Sequence, residues 1–175
     1  MTELLAALTL VANGAGLLLL ATSRSRHPLR QLVTADALRL AWLVALVAML
    51  GSLYMSEVRH FTPCALCWYQ RIAMYPLVVV LGVAAYRGDD TAARASAVTL
   101  AGLGALVGVY HYQLERFPDQ ETIACTSSVP CTTIWFEQLG FITIPYMAVS
   151  AFVLIAVLLT TGRNRHDGQV RTDQG

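Results

Sequence analysis

The chain has 175 residues, enough for one domain; 56% of them are apolar and only 13% charged, against about 25% charged in soluble domains. A net charge of +1 says nothing about nucleic acid, and none is expected as a partner. The apolar residues come in long blocks without helical or strand periodicity, which excludes an ordinary soluble enzyme and indicates an all-α, polytopic membrane protein.

The first block, Leu4 to Thr22, is about 19 residues long and uncharged. It lacks a basic leader and a small-residue cleavage site, so a retained transmembrane helix is expected rather than a signal peptide. A basic connector with a proline follows, Arg24 to Arg30. The second block runs from about Leu38 to Ser56. A short polar loop, EVRHFTP, then leads into PCALCWYQRIAMYP, Pro63 to Pro76. The third block covers Cys67 to Tyr86, and a small charged loop, Arg87 to Arg94, precedes the fourth, Ala95 to Gln113. Its glycines Gly102, Gly104 and Gly108 suit close helix packing. The longer polar loop Leu114 to Gly140 carries Ile134-Trp135-Phe136 and Leu139, which suit a short amphipathic piece lying on the membrane surface. The fifth block is Phe141 to Thr160. Pro76 and Pro145 fall inside spans and read as kinks. The closing GRNRHDGQVRTDQG is polar and expected to be poorly ordered.

Five spans put the termini on opposite sides. Nine arginines (24, 26, 30, 39, 87, 94, 163, 165 and 171) fall on one side and three (59, 71 and 116) on the other. The arginine-rich side is expected to be cytoplasmic. The N-terminus and both cysteine-bearing regions then face outward from a bacterial inner membrane, where disulfides form and persist.

The four cysteines form two local pairs, Cys64/Cys67 and Cys125/Cys131. Thr62-Pro63 reads as a helix start, with threonine as N-cap and proline at the first helical position. That places Cys64 in the first turn and Cys67 one turn on, where free N–H groups and the helix dipole favour a thiolate. Such a thiolate is a good leaving group in thiol–disulfide exchange. Loop entropy assigns the two short rings roughly 1.9 and roughly 2.4 kcal/mol. Those are weak staples, better suited to bonds that are made and broken. Structural disulfides and a four-cysteine zinc site are the alternatives, although C-x-x-C with C-x5-C is not zinc-ribbon spacing.

Arg71 lies four residues after Cys67, on the same helical face. Spacing alone admits snorkelling to the headgroups, or a hold on a polar ligand head or the Cys67 thiolate. Trp68 and Tyr69 beside it suit interface anchoring. His111, in VYHYQLE, falls at the same membrane face, either as a satisfied interfacial residue or as a ligand.

CALCWYQR (Cys64 to Arg71), MYP (Met74 to Pro76), YHYQ (Tyr110 to Gln113), the Cys125/Cys131 pair and GFITIPYMA (Gly140 to Ala148) occur in that order between about Leu38 and Thr160. Together they resemble the bacterial disulfide-bond formation protein B family, DsbB, especially its BdbC-like branch. The resemblance implies a four-helix transmembrane bundle at 38–162. An extra N-terminal transmembrane helix with its connector lies at 1–37 and a polar cytoplasmic tail at 163–175. It implies a thiol:quinone oxidoreductase that reoxidises a thioredoxin-fold, DsbA-like thiol oxidase outside the membrane and reduces a membrane quinone, ubiquinone or menaquinone. It further implies redox-active disulfides Cys64–Cys67 and Cys125–Cys131. Electrons would enter at Cys125 or Cys131, with Cys125 the expected entry point; the other thiol would attack the first pair, and they would leave from Cys67. Arg71 matches the family's quinone-site arginine, His111 lies near its quinone-proximal histidine, and no metal ligand is implied. The chain departs from the pattern in its extra first span and in the tight x5 spacing of the second pair. The competing classes are a vitamin K epoxide reductase-like enzyme, disfavoured by the CWYQR continuation and by C-x-x-C coming first, and a non-catalytic metal-binding membrane scaffold.

Overall fold

The computed structural model describes residues 2–21, 36–87, 91–120, 125 and 129–172. The connector 22–35, the tip of the charged loop and the centre of CTSSVPC lie outside the described residues. Among the described residues are five helices long and apolar enough to cross a membrane, and the chain is a multi-pass, all-α membrane protein. They are α1 (Thr2–Ala21), α2 (Ala37–Leu53), α3 (Ala65–Arg87), α4 (Thr91–Arg116) and α5 (Ile144–Thr172). Each expected block forms its helix. The polar tail, expected to be poorly ordered, instead prolongs α5 to Thr172. It carries no proline to stop the helix, and a helix already formed extends at little cost per residue.

α2 packs on α3, α3 on α4, α4 on α5, and α5 back on α2. This closed ring of four holds the main core, built around Leu77, Leu81, Ala97, Ala101, Phe152 and Ile155. α1 stands outside the ring against α5, joined by Asn13 Nδ2 donating to Tyr146 Oη at 3.0 Å. An amide in apolar surroundings needs such a partner, and the bond ties the two helices together. At the far end Arg94 is buried, with Nη1 donating to the Leu159 carbonyl at 3.1 Å, which links α4 to α5.

Two glycines set the α4–α5 distance. A Cβ at Gly104 would collide with the Phe152 ring, and one at Gly108 would lie 2.6 Å from Val149 Cγ2. Gly102, expected to serve the same packing, faces open space, with nothing within 4 Å of a Cβ. It sits two residues from Gly104 and so points to another side of the helix. Gly104→Leu is therefore expected to destabilise the bundle by about 1–3 kcal/mol through overpacking. Gly102→Leu should be close to neutral; thermal unfolding in nanodiscs separates the two.

Neither proline interrupts a span. α3 continues through Pro76, and Pro145 is the second residue of α5, where a missing N–H removes no intrahelical bond. The fifth block starts late because Ile142 and Thr143 pair with Gln138 and Glu137 in a two-stranded hairpin, β1 (Glu137–Gln138) and β2 (Ile142–Thr143). Leu139 and Gly140 turn it, with φ of 53° and 75°. The stretch expected to lie as a short amphipathic piece on the membrane surface has irregular backbone and leads into this hairpin. Arg116, at the end of α4, fastens the hairpin through Glu137 at 2.9 Å and the Gly140 carbonyl at 3.1 Å.

Candidate active site

Both cysteine pairs lie at the same end of the bundle, where α2 ends, α3 starts, α4 ends and α5 starts. The first pair is built by the start of α3. Thr62 and Pro63 approach in irregular backbone, and the helix begins at Ala65. Thr62 is therefore not the N-cap. A residue before proline is driven towards extended backbone, and the side chain that reaches a free N–H is that of Cys64. Its Sγ accepts from the Cys67 N–H at 3.4 Å, while its carbonyl accepts the first helical bond, from Trp68 N at 3.2 Å. The cysteine sulfur thus does the work of a capping oxygen.

Cys64 and Cys67 are thiols with sulfurs 3.3 Å apart. Cys125 and Cys131 are disulfide-bonded, with Cα atoms 5.6 Å apart. Cys64, Cys125 and Cys131 are buried in one satellite core with Leu66 and Leu114. Phe61 stacks on Trp135, ring centroids 5.4 Å apart, and so holds the strand before the first pair against the loop after the second.

His111 joins the pairs. Its Nε2 lies 3.1 Å from the Cys131 carbonyl and 3.6 Å from Cys64 Sγ. Its Nδ1 lies 3.0 Å from Gln70 Nε2. A carbonyl only accepts, so Nε2 carries the proton and Nδ1 accepts from the Gln70 amide. The one N–H of the ring is then shared between Cys131 and Cys64.

The Cys67 thiol, donating to the Cys64 sulfur, and next the neighbouring His111 hold the Cys64 thiol well below the ordinary thiol range, against the opposing effect of burial. A depressed pKa keeps the thiolate populated as pH falls. Alkylation of Cys64 in the reduced protein is thus expected to keep its rate from pH 8 to pH 6. An ordinary thiol loses about a hundredfold over that range. His111→Ala should restore part of the ordinary slope, read by mass spectrometry of the Cys64 peptide.

Cys67 points to different surroundings. With Gln70, Arg71, Met74 and Tyr75 it lines a cavity of about 330 Å³, walled otherwise by α1, α2, α5 and Trp135. Arg71 does not snorkel to the surface. It is 9% exposed, with Nε donating to Ser52 Oγ at 3.0 Å and Nη2 to the Ser52 carbonyl at 3.1 Å, and its Cζ lies 5.2 Å from the Trp68 ring centroid. Trp68 and Tyr69 are themselves about half exposed, as membrane-interface anchors are. Sequence reasoning missed Ser52 and Gln70. Both are common polar residues whose partners lie on other helices, and no local pattern marks them.

Cys67 and Arg71 therefore meet at the cavity, as their spacing predicts. His111 does not line the cavity; it lies on the far side of Cys64, between the two pairs. The sulfurs of Cys64 and Cys67 and a nitrogen of His111 lie within 4.8 Å of one another and can hold a soft metal ion.

Residues 35–162 match the family described as disulfide bond formation protein DsbB. The chain is 48% identical over 120 residues to disulfide bond formation protein C of Bacillus subtilis (strain 168), covering 68% of this chain and 86% of that one. It is 46% identical over 125 residues to a probable disulfide formation protein of Oceanobacillus iheyensis, covering 70% and 86%. It is 45% identical over 125 residues to a probable disulfide formation protein of Coxiella burnetii, covering 70% and 84%. No solved structure matches the chain.

Proposed function

Because this chain belongs to the DsbB family, we propose that it is a thiol:quinone oxidoreductase of the bacterial inner membrane that reoxidises a DsbA-like, thioredoxin-fold thiol oxidase. The arginine distribution supports an orientation with the cysteine end extracytoplasmic and the C-terminus cytoplasmic.

The observation that carries this reading is the position of Cys64. On one side His111 links it to Cys131; on the other it caps the helix that carries Cys67 into the cavity. Two disulfide exchanges in series then suffice. The partner's dithiol is oxidised as the Cys125–Cys131 bond opens, with Cys125 as the entry point. Cys131 next attacks Cys64, the Cys64–Cys67 bond breaks, and the Cys125–Cys131 bond re-forms. The His111 N–H, shared between the Cys131 carbonyl and Cys64 Sγ, orients the two cysteines and stabilises negative charge on Cys64.

The cavity fits a quinone. Its walls are mostly apolar, and its polar end offers Cys67, the Gln70 amide and Arg71. Among the described residues that line it, Tyr75 Oη is buried without a hydrogen-bond partner. A quinone held there would supply the two-electron acceptor as the Cys64–Cys67 disulfide closes again, with one proton coming from the Cys67 thiol and the second from water. Arg71, held by Ser52, supplies fixed positive charge where negative charge develops. Cys67 presents its sulfur to that end, and His111 acts through Cys64 rather than by contact with the ring.

Differential alkylation in membranes tests the reading. With quinone present both pairs should be found oxidised. With quinone depleted, Cys64 and Cys67 should accumulate as thiols. Four free thiols in aerobic, quinone-replete membranes would contradict it.

A further inference from the structure

The cavity beside Cys67 and Arg71 is not closed by the family's four helices alone. Leu5, Leu8, Thr9 and Ala12 of α1 line it. Their spacing of i, i+3, i+4 and i+7 is one helical face. The family match begins at residue 35, so this wall comes from outside the matched region.

α1 is seated for that task by specific contacts. Leu5 lies over Gly51, where even a Cβ would come within 3.3 Å of Leu5 Cδ2. The next residue, Ser52, is the one that holds Arg71. The start of α1 therefore abuts the arginine's anchor. Further along, Asn13 is bonded to Tyr146. Thr9 is buried and turns its hydroxyl to the Leu5 carbonyl at 2.8 Å, which satisfies the polar atom within the helix. The opposite face of α1, including Leu17 and Leu18, is exposed to lipid.

We propose that α1 is the specificity wall of the quinone site: Leu5, Leu8, Thr9 and Ala12 pack against the bound quinone and select it by shape. This rests on the quinone-reductase reading of the cavity. It gives the extra helix a role in substrate binding rather than in anchoring.

The test uses the full chain in nanodiscs, with a reduced thioredoxin-fold partner as donor and ubiquinone or menaquinone as acceptor. Ala12→Phe fills the cavity, Leu8→Ala enlarges it, and Leu18→Phe changes only the lipid face. Ala12→Phe should raise the KM for quinone by about tenfold or more and leave the KM for the dithiol partner unchanged. Leu8→Ala should alter the ratio of kcat/KM between the two quinones, and Leu18→Phe should behave as wild type. In the wild-type chain, a photoactivatable quinone should label the segment 5–12, and unlabelled quinone should compete. Should Ala12→Phe fail to fold, Leu8→Ala and the labelling still decide. If wild type reduces quinone while Leu8→Ala leaves the quinone preference unchanged and no label reaches 5–12, α1 is not the wall. Labelling of 5–12 by a photoactivatable phospholipid that quinone does not displace makes the space a lipid site and also overturns the proposal. No quinone reduction by wild type overturns the function itself, and this inference with it.

Discussion

Replacing Cys67 with serine is expected to stop quinone reduction, by at least about a thousandfold, and to trap the relay as a bond between Cys64 and Cys131. A lost nucleophile costs on that scale or more. The trap follows from geometry. Cys64 keeps its cap position, and the backbone N–H of residue 67 still reaches its sulfur. His111 still bridges to the Cys131 carbonyl. Without Cys67, the Cys64 thiolate attacks the loop disulfide at Cys131 and releases Cys125 as a thiol; only Cys125 can reverse that bond, and alkylating it fixes the trap. Non-reducing peptide mapping should find the Cys64 peptide joined to Cys131, with Cys125 free. An intact Cys125–Cys131 bond beside free Cys64, after exposure to the partner, would contradict the relay. Cys64→Ser should give no such link while abolishing activity equally.

Arg71→Ala should lower kcat/KM for quinone by about a hundredfold and leave reaction with the dithiol partner unchanged. A single fixed donor facing developing negative charge is worth about that much. A buried arginine at membrane depth is costly to keep, and here two of its nitrogens are committed to one residue, Ser52. Arg71→Lys should not restore activity, since an ammonium cannot reproduce the paired contact of Nε and Nη2 with the Ser52 hydroxyl and carbonyl. Ser52→Ala should fall between, by loosening the guanidinium without removing it. Steady-state kinetics with each substrate varied in turn separates the steps. Equal damage to both, with loss of helicity, would make Arg71 a structural residue.

Much of the fold is legible in the sequence because a membrane span is a one-dimensional signal. Apolar blocks of the right length became α1 to α5, with boundaries shifted by a few residues. The shifts have local causes. Pro63 delays α3, so that Cys64 rather than Thr62 caps it. Pairing of Ile142 and Thr143 with the preceding strand delays α5. The Cys67–Arg71 relation was readable because both sit on one helix, four residues apart. Contacts between helices were not. Gln70 with His111, Ser52 with Arg71 and Leu5 with Gly51 join residues tens of positions apart, and nothing in their local composition announces them. Gly102 and Gly104 look alike as letters, yet only the second faces α5. His111 was expected at the level of the first cysteine pair and lies beside Cys64, but its height alone could not tell a cavity-lining residue from one set between the two cysteine pairs.

The central claim is that electrons entering at the second cysteine pair leave through Cys67 into a quinone. The most direct measurement is turnover by the purified protein in nanodiscs with a reduced thioredoxin-fold partner, following quinone absorbance and partner thiols together. The account predicts one quinol formed per partner disulfide, with no turnover when Cys67 is serine. Partner oxidation without quinol formation, or no turnover with either ubiquinone or menaquinone, would contradict it.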